Sequence, residues 1–203
     1  MACNDNFKTA KSQSSIANSK IVQVQLADSL GYITFSIPNR YDTTFSWTHH
    51  SDCGKPCDII KYRWQPKTLR VNKESGFMWY EPTDSIEQFT ISHSGDFPFH
   101  SNIDSGIMFK LHPQIKANAK SQYIVSFDTV QKIGDRYFSI IVVNSYDTLK
   151  NKYLKKVFAE TSIKGNAIYF NYDLLTTKKD SINDNFIENS KKNLKTIKIS
   201  NGI

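Results

Sequence analysis

Cysteine and histidine are the residue types of this chain best suited to chemistry, and they cluster at one place. Cys53 and Cys57 flank residues 54–56, which include a glycine and a proline, and His49 and His50 lie just before them. Glycine and proline allow the chain to reverse direction, so the two cysteines predict a disulfide that closes a tight loop. Such a bond persists only in an oxidising compartment. Two alternatives stay open: a pair of free thiols, and a zinc site formed by His50, Cys53 and Cys57 with His49.

A third cysteine lies at the start of the chain. Cys3 follows Met1-Ala2 and precedes a polar stretch, residues 4–20, that is rich in Asn, Ser, Lys and Gln. The Ala-Cys pair resembles the end of a bacterial lipobox, in which the cysteine carries the lipid. We therefore expect Cys3 to be a lipid anchor and residues 1–20 to form a flexible tether. This places the protein in the bacterial cell envelope, periplasmic or anchored to the outer membrane; the alternative is an intracellular protein.

Motifs of known catalytic classes are absent from the sequence. It contains no phosphate-binding Gly-rich loop, no Gly-x-Ser-x-Gly elbow, no His-Glu-x-x-His and no calcium loop. His93, His100 and His112 are isolated in the sequence, which predicts surface or capping residues rather than general bases. We expect no cofactor and no catalysis, and we keep a hydrolase with an unrecognised site as an alternative.

Aromatic residues in the middle of the chain are candidate binding anchors. Trp79, Tyr80, Phe97 and Phe99 lie among Gly, Pro, Ser and Asp, which mark loops. Exposed aromatic side chains anchor many protein interfaces. The alternative is that these rings pack their loops onto the core.

Charge and hydropathy limit the other partners. The formal net charge is +7, but the lysines are scattered, which is typical of a solvated surface and argues against nucleic-acid binding. No stretch approaches the roughly 20 apolar residues of a membrane-spanning helix. Contact with a membrane is therefore expected through the lipid anchor alone.

The elements that must position these residues are mainly strands, and residues 21–203 are predicted to form a single globular domain. Alternation of polar and apolar residues predicts strands at 21–26, 32–37, 43–50, 59–65, 69–71, 86–91, 123–127, 153–161 and 167–172. The nearly continuous apolar run at 137–143 predicts a central strand covered on both faces. A short helix over 107–120 would be interrupted by Pro113, and a second helix begins at Asp180 or Ser181 and continues with a largely apolar face at fourfold spacing. This order predicts the α+β class: a mainly antiparallel β-sheet with helices packed on it.

The strands at 43–50 and 59–65 form the clearest hairpin of the first half, with the cysteine pair at its tip. Phe45 and Trp47 fall on one face of the first strand, and Tyr62 and Trp64 on one face of the second. We expect these rings to form the apolar side of the hairpin, with the opposite side wet.

Residues 121–199 resemble the second half of the PsbP-like domains, a group that includes DcrB-like bacterial lipoproteins. The resemblance is carried by the apolar strand at 137–143, the Lys164-Gly165-Asn166 turn and the helix that ends near Leu194. It implies an α/β/α sandwich and a non-enzymatic, accessory role beside a larger assembly.

These observations predict a non-catalytic exported lipoprotein that acts as a protein-interaction or accessory module, with a protein partner in the cell envelope. The abundance of aromatic residues supports one alternative, a binder of a small apolar or aromatic ligand held between sheet and helix. The hydrolase is the other alternative.

Overall fold

The structure, a computed structural model, describes residues 7–8, 18–27, 30–54, 57–71, 85–94 and 105–200, with the backbone only at 7–8. Eleven strands and two helices are described. The strands are β1 (Phe7–Lys8), β2 (Ser19–Gln25), β3 (Tyr32–Pro38), β4 (Thr43–His49), β5 (Ile59–Gln65), β6 (Ile86–Ser94), β7 (Val125–Ile133), β8 (Arg136–Asp147), β9 (Lys152–Ile163), β10 (Asn166–Thr176) and β11 (Lys198–Ser200). The helices are α1 (Met108–Lys120), which follows a 3-10 turn at Ser105–Ile107, and α2 (Ser181–Leu194).

The described strands form two sheets in which neighbouring strands run antiparallel. The large sheet has the order β4-β5-β6-β10-β9-β8-β7, and the small sheet has the order β1-β2-β3-β11. With two helices packed on these sheets, the predicted α+β class is confirmed.

The core lies between one face of the large sheet and a second layer made of the small sheet and α2. Phe35 of the small sheet packs edge-on against Trp64 and Phe89 of the large sheet, with ring centroids 5.0 Å and 5.2 Å apart. Phe186 and Leu194 of α2 are buried in the same cluster. This burial of aromatic and aliphatic surface is the main stabilising contribution to the fold.

Helix α1 covers the opposite face of the large sheet. Phe138 and Ile140 belong to the core, and Ser139, which lies between them on β8, contacts α1 through His112. Successive side chains of a strand point to opposite faces, so α1 and α2 lie on opposite sides of the sheet. The strand predicted at 137–143 is therefore covered on both faces, as its nearly continuous apolar sequence indicated.

Local sequence signals explain the ends of several elements. Lys164 and Gly165, with φ of 49° and 82°, form the two-residue turn between β9 and β10, and positive φ at both positions is typical of a type I′ hairpin. Asp180 caps α2, since its side chain accepts a hydrogen bond from the Asn183 amide at 3.0 Å. Both the turn and the cap were predicted.

Two element predictions were wrong. Residues 69–71 form no strand. They follow a turn, and the Leu69 carbonyl accepts a hydrogen bond from the Gln65 side chain rather than from a neighbouring strand. Pro113 does not interrupt α1, which continues to Lys120. The preceding 3-10 turn starts the helical path before Met108, and Pro113 lies on the exposed side, where water can satisfy a carbonyl that lost its helical donor.

The rings of the β4–β5 hairpin do not share a face, contrary to expectation. Phe45 is paired with Arg63, and Trp64 is paired with Thr44. Paired residues of the hairpin project from the same face, and the register pairs odd-numbered positions with odd-numbered ones. The aromatic residues have odd numbers on β4 but even numbers on β5, so the two sets of rings lie on opposite faces. Consequently Tyr62 and Trp64 enter the core, whereas the Arg63 guanidinium lies over the Trp47 ring at 4.8 Å on the other face.

Candidate functional site

A cavity of about 310 Å³ lies between α1 and the large sheet. We call it the α1 cavity. Its lining combines aliphatic, aromatic and amide side chains with a single carboxyl group. The residues are Ile115, Asn118, Ala119, Gln122, Tyr123, Ser139, Ile141, Phe158, Ala159, Glu160, Tyr169 and Asn171. Ligand sites in proteins have this composition, with mostly apolar walls and a few polar groups that fix orientation.

The registers of three neighbouring strands bring the polar floor of the cavity together. Glu160 on β9 is paired with Ser139 on β8 and with Tyr169 on β10. Paired residues of an antiparallel ladder project from the same face, so these three side chains form one row beneath α1. Phe158 and Asn171 lie in the adjacent row and are also paired with each other.

Glu160 is the electrostatically unusual residue of the cavity. Burial raises the pKa of its carboxyl group from 4.5 to about 7, because a charged group loses hydration in a partly enclosed site. Within the described part of the chain, no hydrogen bond or ion pair involves this carboxylate. Burial, followed by the Glu160 charge, also raises the pKa of the paired Tyr169. Glu160 is therefore able to gain or lose a proton near neutral pH.

Aromatic rings form the wall on one side of the cavity. The rings of Tyr123 and Phe158 have centroids 5.9 Å apart, and the Lys156 ammonium group lies 5.2 Å and 5.4 Å from them. Lys156 also forms an ion pair with Asp173 at 2.8 Å. Burial alone would lower the pKa of Lys156, but the Asp173 charge and its hydrogen bond outweigh burial and raise it.

A hydrogen-bonded network fastens α1 above the cavity. His112 Nδ1 lies 2.8 Å from Ser139 Oγ, and its Nε2 lies 3.1 Å from Asp128 Oδ1. Lys116 of α1 binds the other carboxylate oxygen of Asp128 at 2.8 Å. The hydrogen bonds from Lys116 and then His112 lower the pKa of Asp128. The network thus ties two residues of α1 to β7 and β8, and it fixes the height of the helix over the sheet.

Two larger hollows lie elsewhere, and each contains an ion pair. A groove of about 730 Å³ adjoins the α1 cavity at Tyr123, and its Lys156 and Asp173 neutralise each other. Another hollow of about 360 Å³, beside α2, contains the Arg40–Glu87 ion pair at 2.5 Å. The α1 cavity differs from both because its one carboxylate has no partner among the described residues.

The predicted cysteine pair forms a disulfide. Cys53 and Cys57 are bonded at the tip of the β4–β5 hairpin, where the bridge closes the loop. Bonded sulfur atoms are not the thiolates that a zinc site requires. The ring of His50, the third residue of the zinc alternative, instead lies 2.9 Å from Asp58 Oδ2. The described residues contain no group of three or more His, Cys, Asp or Glu placed to hold a metal ion.

The remaining predicted site residues lie outside the described residues. These are the lipid-anchor candidate Cys3 and the candidate binding-loop residues Trp79, Tyr80, Phe97 and Phe99. Most of the predicted tether, residues 1–20, lies outside them too, while Phe7–Lys8 pairs with Val24 and Gln23 of β2. The anchor, tether and loop assignments stay predictions.

Sequence reasoning missed the residues that the structure brings together. His112 and His93 were predicted to be surface or capping residues, but His112 joins Ser139 to Asp128, and His93 is fully buried. No motif marks Glu160. The available signal was its place directly after the apolar residues 157–159, because a carboxyl group on a strand covered on both faces loses hydration.

Comparison with known proteins does not assign the site. No protein-family model, curated protein or solved structure matches the chain. Among the described residues, no helix is long and apolar enough to cross a membrane. The resemblance of residues 121–199 to PsbP-like domains therefore stays a prediction, and the functional argument depends on the geometry of the α1 cavity.

Proposed function

We propose that the protein is a non-catalytic binding module that holds a small ligand with an apolar or aromatic body in the α1 cavity. The observation that carries this proposal is the cavity itself, about 310 Å³ between helix and sheet, with aromatic walls and one carboxyl group that has no partner among the described residues. Its volume equals that of about ten liquid waters at ~30 Å³ each. A ligand with one ring and a short polar chain fits such a space.

The fixed position of α1 supports this function. A ligand site binds more tightly when its walls are already in place, because less order has to be imposed on binding. The His112 and Lys116 contacts to β7 and β8 hold α1 at a fixed distance from the sheet. The network is therefore well placed to keep the cavity open in the absence of a ligand.

The test is a ligand-observed NMR screen of small aromatic compounds against three proteins. Ala119 lines the cavity, so Ala119→Trp fills it, whereas Ala117 lies exposed on the same helix and Ala117→Trp is the matched control. We expect compounds that bind the wild type and Ala117→Trp but not Ala119→Trp. If no compound distinguishes the two variants, the cavity is not the binding site.

A hydrolase is the second candidate, because Ser139, His112 and Asp128 are the residue types of a catalytic triad and are in contact. The surroundings of Ser139 argue against catalysis. Ser139 is only 1% exposed, so a substrate has little access to it. It also lies within β8 between two paired strands, so its backbone amide belongs to the sheet and is not free to stabilise an oxyanion. Hydrolysis of p-nitrophenyl esters that Ser139→Ala abolishes would reverse this order of preference.

Export to the cell envelope is a compatible proposal, supported by the Cys53–Cys57 disulfide. Disulfides persist mainly in oxidising compartments, and the sequence context of Cys3 agrees with a lipid anchor. An anchored module that also contacts a protein partner through its aromatic loops is the version that the sequence favours. Intact mass after alkylation without reductant, on protein recovered from the envelope of a bacterial host, tests both the bridge and the lipid.

A further inference from the structure

The charge of the α1 cavity restricts the class of ligand. Among the described residues that line it, Glu160 carries the one carboxyl group, and the other polar groups are amides and hydroxyls. A carboxylate in a partly enclosed site favours a neighbouring positive charge, since an unpaired charge loses hydration without compensation. The cavity therefore offers a place for a cation that the described part of the chain leaves unfilled.

Three basic side chains near this site are already engaged. On α1, Lys116 and His112 both contact Asp128 of β7. On β9, Lys156 is paired with Asp173 of β10. The other titratable side chains that line the cavity are Tyr123 and Tyr169, and Tyr169 is the paired residue of Glu160 on β10. None of these groups neutralises the Glu160 carboxylate.

The walls of the cavity suit the body of an organic cation. The Lys156 ammonium group already lies 5.2 Å and 5.4 Å from the rings of Tyr123 and Phe158, which shows that the fold brings a positive charge against these two aromatic side chains. Aromatic faces attract cations through their quadrupole, and more strongly where water is excluded. The same two rings belong to the lining of the cavity that contains Glu160.

We propose that the α1 cavity selects a small organic amine in its ammonium form, with the ammonium group paired to Glu160 and the apolar body against Tyr123, Phe158 and Tyr169. This inference rests on the proposed function, that the cavity holds a small ligand. An anionic ligand would be repelled by the carboxylate. A neutral ligand can donate a hydrogen bond to the ionised carboxylate but brings no opposite charge to pair with it.

The test uses three probes that share a phenyl ring and a short chain but differ in charge: 2-phenylethylamine, 2-phenylethanol and 3-phenylpropionate. Their affinities for the full chain are measured by calorimetry at pH 8. We expect the amine to bind at least about tenfold more tightly than the alcohol, because only the amine adds an opposite charge to its hydrogen bond with Glu160, and the anion to bind least. In Glu160→Gln the amine should lose this advantage while the alcohol keeps its affinity, which also shows that the variant is folded.

The pH dependence adds an independent readout. Since burial raises the pKa of Glu160 to about 7, the amine should bind more weakly as the pH falls below 7, with a proton released on binding. The alcohol should show no such loss.

Two results would overturn the inference, and they differ in what they leave standing. If the alcohol binds as tightly as the amine and Ala119→Trp blocks both, the cavity is a ligand site but does not select cations. If none of the three probes binds, or Ala119→Trp leaves their binding unchanged, the proposed function fails together with the inference.

Discussion

Replacing Glu160 by glutamine should stabilise the protein at alkaline pH but not at acidic pH. Burial raises the pKa of Glu160 from 4.5 to about 7. Between these values the folded protein keeps a proton that the unfolded chain has lost, so stability falls as the pH rises through this window. Glutamine carries no charge in either state, and the variant is free of this loss.

The magnitude follows from the same two values. At ~1.4 kcal/mol per pH unit, the loss is at most about 3.5 kcal/mol once Glu160 is ionised in both states. Water at the cavity mouth screens part of it, so we expect about 1–2 kcal/mol. Glu160→Gln should therefore be about 1–2 kcal/mol more stable than the wild type at pH 8.5, with most of the difference gone at pH 4.5.

Urea unfolding followed by circular dichroism at the two pH values measures this difference. Glu188→Gln is the control, because Glu188 is an exposed carboxylate on α2 with 67% of its side chain accessible, and its ion pair with Lys191 contributes little to stability. Equal effects of Glu160→Gln at both pH values would refute the view that Glu160 is a desolvated carboxyl group without a partner.

Four further predictions test the elements that support the site. His112→Ala should cost about 1–3 kcal/mol, because buried partners of the ring lose their hydrogen bonds, and hydrogen exchange should accelerate in α1 before the core strands. The hydrogen bonds from Lys116 and then His112 lower the pKa of Asp128 below 3.8. The stability that this carboxylate contributes is therefore complete above pH 3.8 and is lost as the pH falls through the lower pKa of the folded state. In Asp128→Asn, acid unfolding followed by circular dichroism should depend less on pH below about pH 4. Serine at Cys53 and Cys57 should lower the unfolding free energy by at most about 2 kcal/mol, the expected value for so short a loop, and reductant should have this effect on the wild type only. Asp180→Ala removes the N-cap of α2 and should cost about 1 kcal/mol in urea unfolding, whereas alanine at the exposed serine that follows should not.

The sequence predicted most of the β-structure because its signals are local. The β9–β10 hairpin was predicted from alternating side chains around Lys164-Gly165-Asn166, and positive φ at Lys164 and Gly165 shows how that turn is made. The α2 helix was predicted from its capping aspartate and from apolar residues at fourfold spacing, of which Phe186 and Leu194 are buried. Such patterns act within a few residues and need no knowledge of the rest of the chain.

The face of a strand, by contrast, depends on its partner. Phe45 and Trp47 alternate as a buried face would, yet the register pairs them with Arg63 and Lys61. No property of β4 alone distinguishes the two faces, since a shift of one residue exchanges them. The hairpin was predictable, but the side that enters the core was not.

The α1 cavity was not predictable for the same reason. Ser139 and Glu160 become neighbours only through the β8–β9 register, and His112 reaches Ser139 across 27 residues of sequence. A single sequence contains no mark of such distant contacts. The desolvation of Glu160 likewise follows from the helix packed over it, a tertiary contact rather than a local preference.

Amide chemical-shift mapping with 2-phenylethylamine tests the central claim, that the α1 cavity is the ligand site, most directly. We expect concentration-dependent shifts that cluster at the cavity lining: residues 118–123 of α1 and its end, Glu160 on β9, and Tyr169 and Asn171 on β10. Shifts confined to the adjoining groove around Lys150, or the absence of shifts at millimolar amine, would contradict it.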